Sequence, residues 1–103
     1  MSTKAPAGRR VAIVTGSAQG IGRAIALRLA HDGYDVSVND LPARLADLEG
    51  LVKEIEAHGA RGLAVVGDVT IEAEVQGLVE KTVQDLGRLD VVRAAIKFDR
   101  LMN

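Results

Sequence analysis

The 103-residue chain contains no cysteine, no tryptophan and only two aromatic residues, Tyr34 and Phe98. Without cysteine, this sequence can form no disulfide and no thiolate metal site, and it has no cysteine nucleophile. So few aromatic side chains cannot form the stacking platforms on which single-stranded nucleic acids bind. The interior must therefore be built from valine, leucine, isoleucine and alanine.

An excess of charge of one sign is also missing. Thirteen basic and fourteen acidic residues give a formal net charge of −1, which does not indicate a nucleic-acid partner. His31 and His58 are the only histidines. Each falls at the end of a predicted helix, where a partly cationic ring suits the helix dipole, so we expect no metal site.

Long hydrophobic runs are absent as well. No apolar run approaches the roughly 18 residues of a membrane span, and the short polar N-terminus lacks the hydrophobic core of a signal peptide. We therefore expect no membrane partner and a cytoplasmic location. Hydrophobic residues nevertheless make up 48% of the chain, which is typical of one modest folded domain.

The most informative stretch is a glycine-rich turn. Residues 11–14 are an unbroken apolar run, residues 15–22 read Thr-Gly-Ser-Ala-Gln-Gly-Ile-Gly, and residues 21–30 are apolar at helical spacing. A strand, a turn and a helix in this order present free backbone N–H groups at the positive end of a helix dipole, which attracts phosphate. A turn without a ligand, in any α/β protein, is the alternative interpretation.

The glycine spacing separates this turn from two related motifs. It is G-x-x-x-G-x-G, whereas the common dinucleotide fingerprint is G-x-G-x-x-G. A P-loop is excluded because Arg23 and Ala24 follow Gly22, where that motif has lysine and serine or threonine. A phosphoacceptor receiver domain would need further acidic residues after strand one, where this chain has Thr15 and Gly16.

Apolar periodicity predicts alternating strands and helices along the rest of the chain. Strands are predicted over 10–15, 34–40, 63–66 and 89–92, and helices over 20–32, 43–58 and 70–86, with Thr70 as an N-cap. This order predicts an α/β fold, a partial Rossmann-like, doubly wound parallel sheet of about four strands and three helices. Ligands of such sheets bind at the carboxyl ends of the strands, where the glycine turn, Asp40 and Asp68 collect.

These residues together resemble the classical short-chain dehydrogenase/reductase family. Residues 15–22 are similar to its cofactor motif, residues 67–69 (Gly-Asp-Val) to the segment after strand three, and residues 87–91 (Gly-Arg-Leu-Asp-Val) to the lead-in to strand four. The resemblance implies a truncated NAD(P)-binding Rossmann domain over 10–92 and a tail unlike the family over 93–103. Pro6 and Gly8 oppose regular structure, so a flexible N-terminus is expected over 1–9. Gln19 and residues 26–29 look most like diacetyl/acetoin reductases.

The resemblance also implies a role for individual residues in cofactor binding. The adenosine ribose and pyrophosphate would be lined by three glycines and by the backbone of three neighbours: Gly16, Gly20, Gly22, Ser17, Gln19 and Ile21. Asp68 and the Val69 backbone would face the adenine. The alternative for Asp68 is that it precedes the start of a helix.

Asp40 bears on the choice between NAD and NADP. It ends strand two, where a carboxylate can accept hydrogen bonds from a ribose diol and repels a 2′-phosphate. Leu41 follows where a phosphate-binding arginine would suit NADP, so NAD is favoured. Arg44 lies close enough in sequence to keep NADP possible. The alternative for Asp40 is a turn residue before Pro42.

The family's catalytic residues find no match in this chain. The family uses a tyrosine and a lysine four residues later, with a serine ahead of them and an asparagine on a middle helix, to move hydride between nicotinamide and an alcohol or carbonyl substrate. The only tyrosine here is Tyr34, and Val38 lies four residues on. We therefore assign no catalytic residue and expect the chain to be inactive alone.

The resemblance stops abruptly near residue 92. The family continues with Asn-Asn-Ala-Gly, whereas this chain continues with Arg93 and Ala94. We interpret the sequence as a truncated or aberrant product that lacks the family's oligomer interfaces and leaves strand four as an exposed edge. The competing hypothesis is a non-enzymatic module that associates with a full-length relative through that edge.

Overall fold

A computed structural model describes residues 9–94, so the predictions for residues 1–8 and for the tail beyond Ala94 lie outside the described residues. The elements, in chain order, are β1 (Val11–Thr15), α1 (Gly20–His31), β2 (Asp35–Asp40), a 3₁₀ turn (Pro42–Arg44), α2 (Leu45–Ala57), β3 (Gly62–Val66), α3 (Glu72–Leu86) and β4 (Val91–Ala94). None of the described helices has the length and apolar character needed to cross a membrane.

The four strands form one parallel sheet in the order β3-β2-β1-β4. The chain winds outward from β1 to β3 and then crosses back through α3 to place β4 on the other side of β1. This reversal makes the sheet doubly wound and creates a crevice at the carboxyl ends of β1 and β4. The predicted fold class is confirmed.

The sheet is covered on both faces, and this explains why β1 is apolar throughout. All five β1 residues are buried. One face packs on α1 and α2 through a core that includes Val14, Val36 and Val38 of the sheet and Ala26, Ala30, Leu48, Leu51 and Ile55 of the helices. Helix α3 lies on the other face. A central strand of a parallel sheet is buried on both sides in this way.

The polar residues of β2 are buried too, although their alternation with valine could suggest a solvent face. Ser37 is fully buried beneath α3. The Thr82 hydroxyl of α3 donates to the Leu78 carbonyl (2.7 Å) and lies 2.9 Å from the Ser37 hydroxyl. The polar face of β2 is therefore hydrogen-bonded beneath a helix.

The start of α3 differs from the prediction. The N-cap residue is Ile71, so Thr70 as N-cap was wrong. The Thr70 N–H (2.9 Å) and hydroxyl (2.6 Å) instead donate to the Asp68 carboxylate. Asp68 thereby closes a local turn that competes with capping, a common behaviour of short polar side chains.

Asp35 carries a buried charge at the amino end of β2. Its side chain is 0% exposed and accepts hydrogen bonds from Arg9 Nε (2.6 Å), Arg61 Nε (2.9 Å) and the Arg61 backbone N–H (2.8 Å). The Arg61 guanidinium also donates to the Leu86 carbonyl at the end of α3 (3.0 Å). Burial alone would raise the pKa of Asp35, but the hydrogen bonds from Arg61 and Arg9 outweigh it and lower that pKa.

We expect Asp35→Asn to lower the free energy of unfolding by about 1–3 kcal/mol at neutral pH, because it removes a charge-assisted network from a buried site. Since the folded-state pKa is lowered, the contribution of Asp35 is complete above the unfolded-state value of about 3.9 and is lost as the pH falls through the folded-state value. Urea unfolding at several pH values should therefore show a steeper acid loss for the wild type than for the variant.

Asp47→Asn is the matched control, because Asp47 is a half-exposed aspartate in a surface pair with Arg44. Its stability should change by less than about 0.5 kcal/mol. Equal unfolding midpoints for the wild type and Asp35→Asn at neutral pH would contradict the role given to Asp35.

Candidate functional site

The candidate site lies where β1, β2 and β3 end side by side. Because these strands are parallel neighbours, the loops that follow them meet at one edge of the sheet. The loop after β1 is the glycine turn, residues 16–19. Asp40 ends β2, and residues 67–69 follow β3. The structure thus brings the three predicted site segments to the same edge.

The glycine turn leads directly into the N-terminus of α1. Gly16 and Gly20 both have φ of +63°, a left-handed conformation that favours glycine. A Cβ on Gly20 would meet nothing within 4 Å, so backbone conformation and not space requires glycine there. Gln19 occupies the N-cap position with extended backbone and makes no side-chain cap hydrogen bond, and the first turn carries no acidic residue. The helix end is therefore suited to an anion.

Ser17 shapes the turn through its own hydrogen bonds. It is fully buried. Its hydroxyl donates to the Val14 carbonyl (2.9 Å) and accepts from the Asn39 N–H (3.0 Å), while its own N–H donates to the Asn39 carbonyl (3.0 Å). Ser17 therefore ties the glycine turn to the end of β2, and contact between Ser17 and a cofactor stays a prediction.

The Asp40 carboxylate lies directly against the glycine turn. Its Oδ2 accepts from the Ala18 N–H (3.0 Å) and its Oδ1 from the Leu41 N–H (2.8 Å). Each carboxylate oxygen can accept a further hydrogen bond, and the side chain is partly exposed. Arg44, the residue that kept NADP possible, pairs with Asp47 at 3.2 Å. The site thus presents an oriented carboxylate beside the positive end of α1.

Asp68 and Val69 lie on the loop between β3 and α3. The Asp68 carboxylate binds Thr70 as described above, and the Asp68 N–H donates to the Glu74 carboxylate (2.6 Å). Asp68 lies three residues before Ile71, the N-cap of α3, and its contact with adenine stays a prediction. Val69 is 42% exposed and offers apolar surface at the sheet edge. Ile21, at 78%, is an exposed apolar side chain on the first turn of α1.

Sequence reasoning missed Asn39. This residue is 2% exposed, and its side-chain amide donates to the carbonyls of Val65 (3.0 Å) and Gly67 (3.3 Å). The Gly67 N–H donates in turn to the Asp40 carbonyl (3.0 Å). An amide at the end of an otherwise buried strand was the available signal, because buried polar groups are generally hydrogen-bonded.

The remaining chemistry-bearing side chains lie elsewhere. Tyr34 directly precedes β2, at the opposite edge of the sheet, and its hydroxyl accepts from Arg10 Nη1 (3.3 Å). The His31 and His58 rings, at the ends of α1 and α2, stand edge to face 6.0 Å apart. Between residues 9 and 94, no three histidine, aspartate or glutamate side chains group as a metal site would require.

Comparison with known proteins agrees with this geometry. A sequence profile for short chain dehydrogenase matches residues 10–96. A short-chain dehydrogenase/reductase of Armillaria gallica is 54% identical over 83 residues, which are 81% of this chain and 32% of that protein. The chain spans about a third of the length of the curated relatives that it matches.

Solved structures share the fold. The crystal structure of an acetoin dehydrogenase from Salmonella typhimurium superposes with a TM-score of 0.75 at 33% identity, covering 82% of this chain and 33% of that one. A blue fluorescent protein from a metagenomic library, in complex with NADPH, superposes with a TM-score of 0.76 at 39% identity, covering 81% and 34%. Together with the matched cofactor motif, these findings show that the chain belongs to the short-chain dehydrogenase/reductase family.

Proposed function

We propose that residues 9–94 bind the adenosine and pyrophosphate portion of a nicotinamide dinucleotide. The observation that carries this proposal is the Asp40 carboxylate, held by the Ala18 N–H at 3.0 Å beside the N-terminus of α1. A carboxylate and an anion-attracting helix end at one place match a ribose diol joined to a pyrophosphate. The NADPH complex of a relative supports the same class of cofactor.

Each part of the cofactor would be held by a different loop at the carboxyl ends of β1, β2 and β3. The first-turn N–H groups at Gly20, Ile21 and Gly22 would donate to the pyrophosphate, because intrahelical acceptors are lacking there. Asp40 would accept from the ribose hydroxyls, and Val69 would contact the adenine. The cofactor itself would supply the hydride donor or acceptor of the family's reaction.

We expect the 103-residue chain to bind NAD with a dissociation constant on the order of 0.1–10 mM, because few contacts offset the entropic cost of association. We also expect no hydride transfer between NADH and small ketones. Gly20→Val should weaken binding further, since φ at this position is +63°. Gly50→Ala is the control, because Gly50 lies inside α2 with open space around it.

Calorimetric titration with NAD measures the affinity, and loss of NADH absorbance in the presence of diacetyl measures turnover. A micromolar dissociation constant, or turnover by the purified chain, would contradict this account. The diacetyl/acetoin subclass of the whole protein stays a prediction, which the similarity to an acetoin dehydrogenase supports. A cytoplasmic location likewise stays a prediction.

We propose that NAD is preferred over NADP. The Asp40 carboxylate would lie where a 2′-phosphate would have to sit, and like charges repel. Arg44 would have to leave Asp47 to compensate. One relative was crystallised in complex with NADPH, which carries the 2′-phosphate. The proposed preference of this chain for NAD therefore rests on Asp40 itself.

Asp40→Ser should shift the ratio of NADP affinity to NAD affinity by about tenfold or more toward NADP, which corresponds to about 1.4 kcal/mol. The serine removes the repelling charge and one acceptor for the ribose diol. Parallel titrations with the two cofactors measure the ratio. Asp85→Asn is the control, because it removes a surface carboxylate of α3 that pairs with Lys81 and leaves the Arg44 pair intact. An unchanged ratio in Asp40→Ser would show that this carboxylate does not select the cofactor.

A second candidate function is a binding module for a full-length relative. Strand β4 is at the edge of the described sheet, and Val92 is 57% exposed there. Beside it runs an apolar groove of about 250 Å³ between α3 and the sheet, lined by Ile13, Thr15, Val69, Val75, Leu78, Val79, Val92 and Ala94. An exposed apolar edge of this kind can pair with another chain.

This candidate predicts that the chain binds a purified full-length reductase of the family and changes its sedimentation coefficient. Val92→Lys should abolish binding, because a charge on an edge strand opposes pairing. Glu49→Lys is the control, because it changes a charge at an exposed position of α2, away from β4. Unchanged sedimentation of the mixture with the wild-type chain would exclude the binding module.

A further inference from the structure

Asn39 links all three loops of the candidate site. Its backbone N–H and carbonyl both bond to Ser17 in the glycine turn (3.0 Å each), and it directly precedes Asp40. Its side-chain Nδ2 reaches from β2 to the end of β3, where it donates to the carbonyls of Val65 (3.0 Å) and Gly67 (3.3 Å). One residue therefore joins the ends of β1, β2 and β3.

The two kinds of hydrogen bond act on different loops. The backbone groups of Asn39 hold the glycine turn, and any residue other than proline would supply them at this position. The side-chain amide holds only the end of β3, where Gly67 leads into Asp68 and Val69. The packing there is close, because a Cβ on Gly67 would lie 3.3 Å from Glu74 Oε1 and 3.9 Å from Asn39 Nδ2.

The side-chain amide of Asn39 is buried at the end of β2. Asn39 is 2% exposed, and a buried polar group costs free energy unless it is hydrogen-bonded. The amide N–H groups that point to β3 satisfy this requirement and at the same time fix the loop. Asn39 lies in register with Val65 on the neighbouring strand β3. Its side chain is therefore close enough to reach the carbonyls at the end of that strand.

We propose that Asn39 is a positioning residue that sets the place of residues 67–69 relative to Asp40, and thereby the adenine end of the nucleotide site. This inference rests on the proposed dinucleotide function. Asn39 does not touch the nucleotide. It acts through Gly67 and the two residues that follow. The pyrophosphate end of the site, which depends on the backbone of residue 39, is independent of its side chain.

The test compares two probes, 5′-AMP and inorganic pyrophosphate, by NMR titration of the full chain. Asn39→Leu is similar in size but has no donors. It should weaken 5′-AMP binding about tenfold, the equivalent of about 1.4 kcal/mol, and leave pyrophosphate affinity within about twofold. Thr82→Val is the matched control. It removes another buried polar group, the hydroxyl by which α3 contacts Ser37 away from the site, and should change neither affinity.

The outcomes separate this inference from the proposed function. If the wild-type chain binds neither probe, the proposed function fails and the inference fails with it. If the wild type binds both and Asn39→Leu weakens both equally, or weakens neither, Asn39 has only a general structural role and the inference alone is overturned. Should Asn39→Leu not fold, Asn39→Thr, which suits a strand but is too short to reach both carbonyls, should give the same selective loss.

Discussion

The pairing of the glycine turn with the end of β2 is the contact on which the candidate site depends. Ser17 and Asn39 exchange backbone and side-chain hydrogen bonds at 3.0 Å, and Ala18 donates to Asp40 one residue further along. These bonds hold a left-handed glycine backbone against a carboxylate. Without them, the positive end of α1 and the proposed ribose acceptor would be two unrelated features of the sheet edge.

Strand β2 carries polar residues along its length, and their contacts differ from one end of the strand to the other. At its amino end, Asp35 binds Arg9 and Arg61, which stabilises the fold. In its middle, Ser37 contacts α3. At its carboxyl end, Asn39 and Asp40 arrange the loops of the site. The charge that stabilises the fold and the charge that we propose binds the ribose therefore lie at opposite ends of one strand.

Much of the fold could be predicted from the sequence because its signals are local. The unbroken apolar run of β1, the four-residue spacing in α1 and the glycine turn each depend on neighbouring residues. The polar contacts that the sequence did not predict join distant residues. Asn39 binds carbonyls 26 and 28 residues away, and Asp35 binds Arg9 and Arg61 at a separation of 26 residues each. Thr70 was misjudged because Asp68 offered a competing acceptor.

NMR can map the binding of NAD onto the backbone amides of the chain. We expect chemical-shift changes concentrated at residues 16–22, 40–41 and 67–69, and none around Tyr34 at the opposite edge of the sheet. Changes concentrated at that opposite edge or along the groove beside β4, with the glycine turn silent, would contradict the proposed nucleotide site.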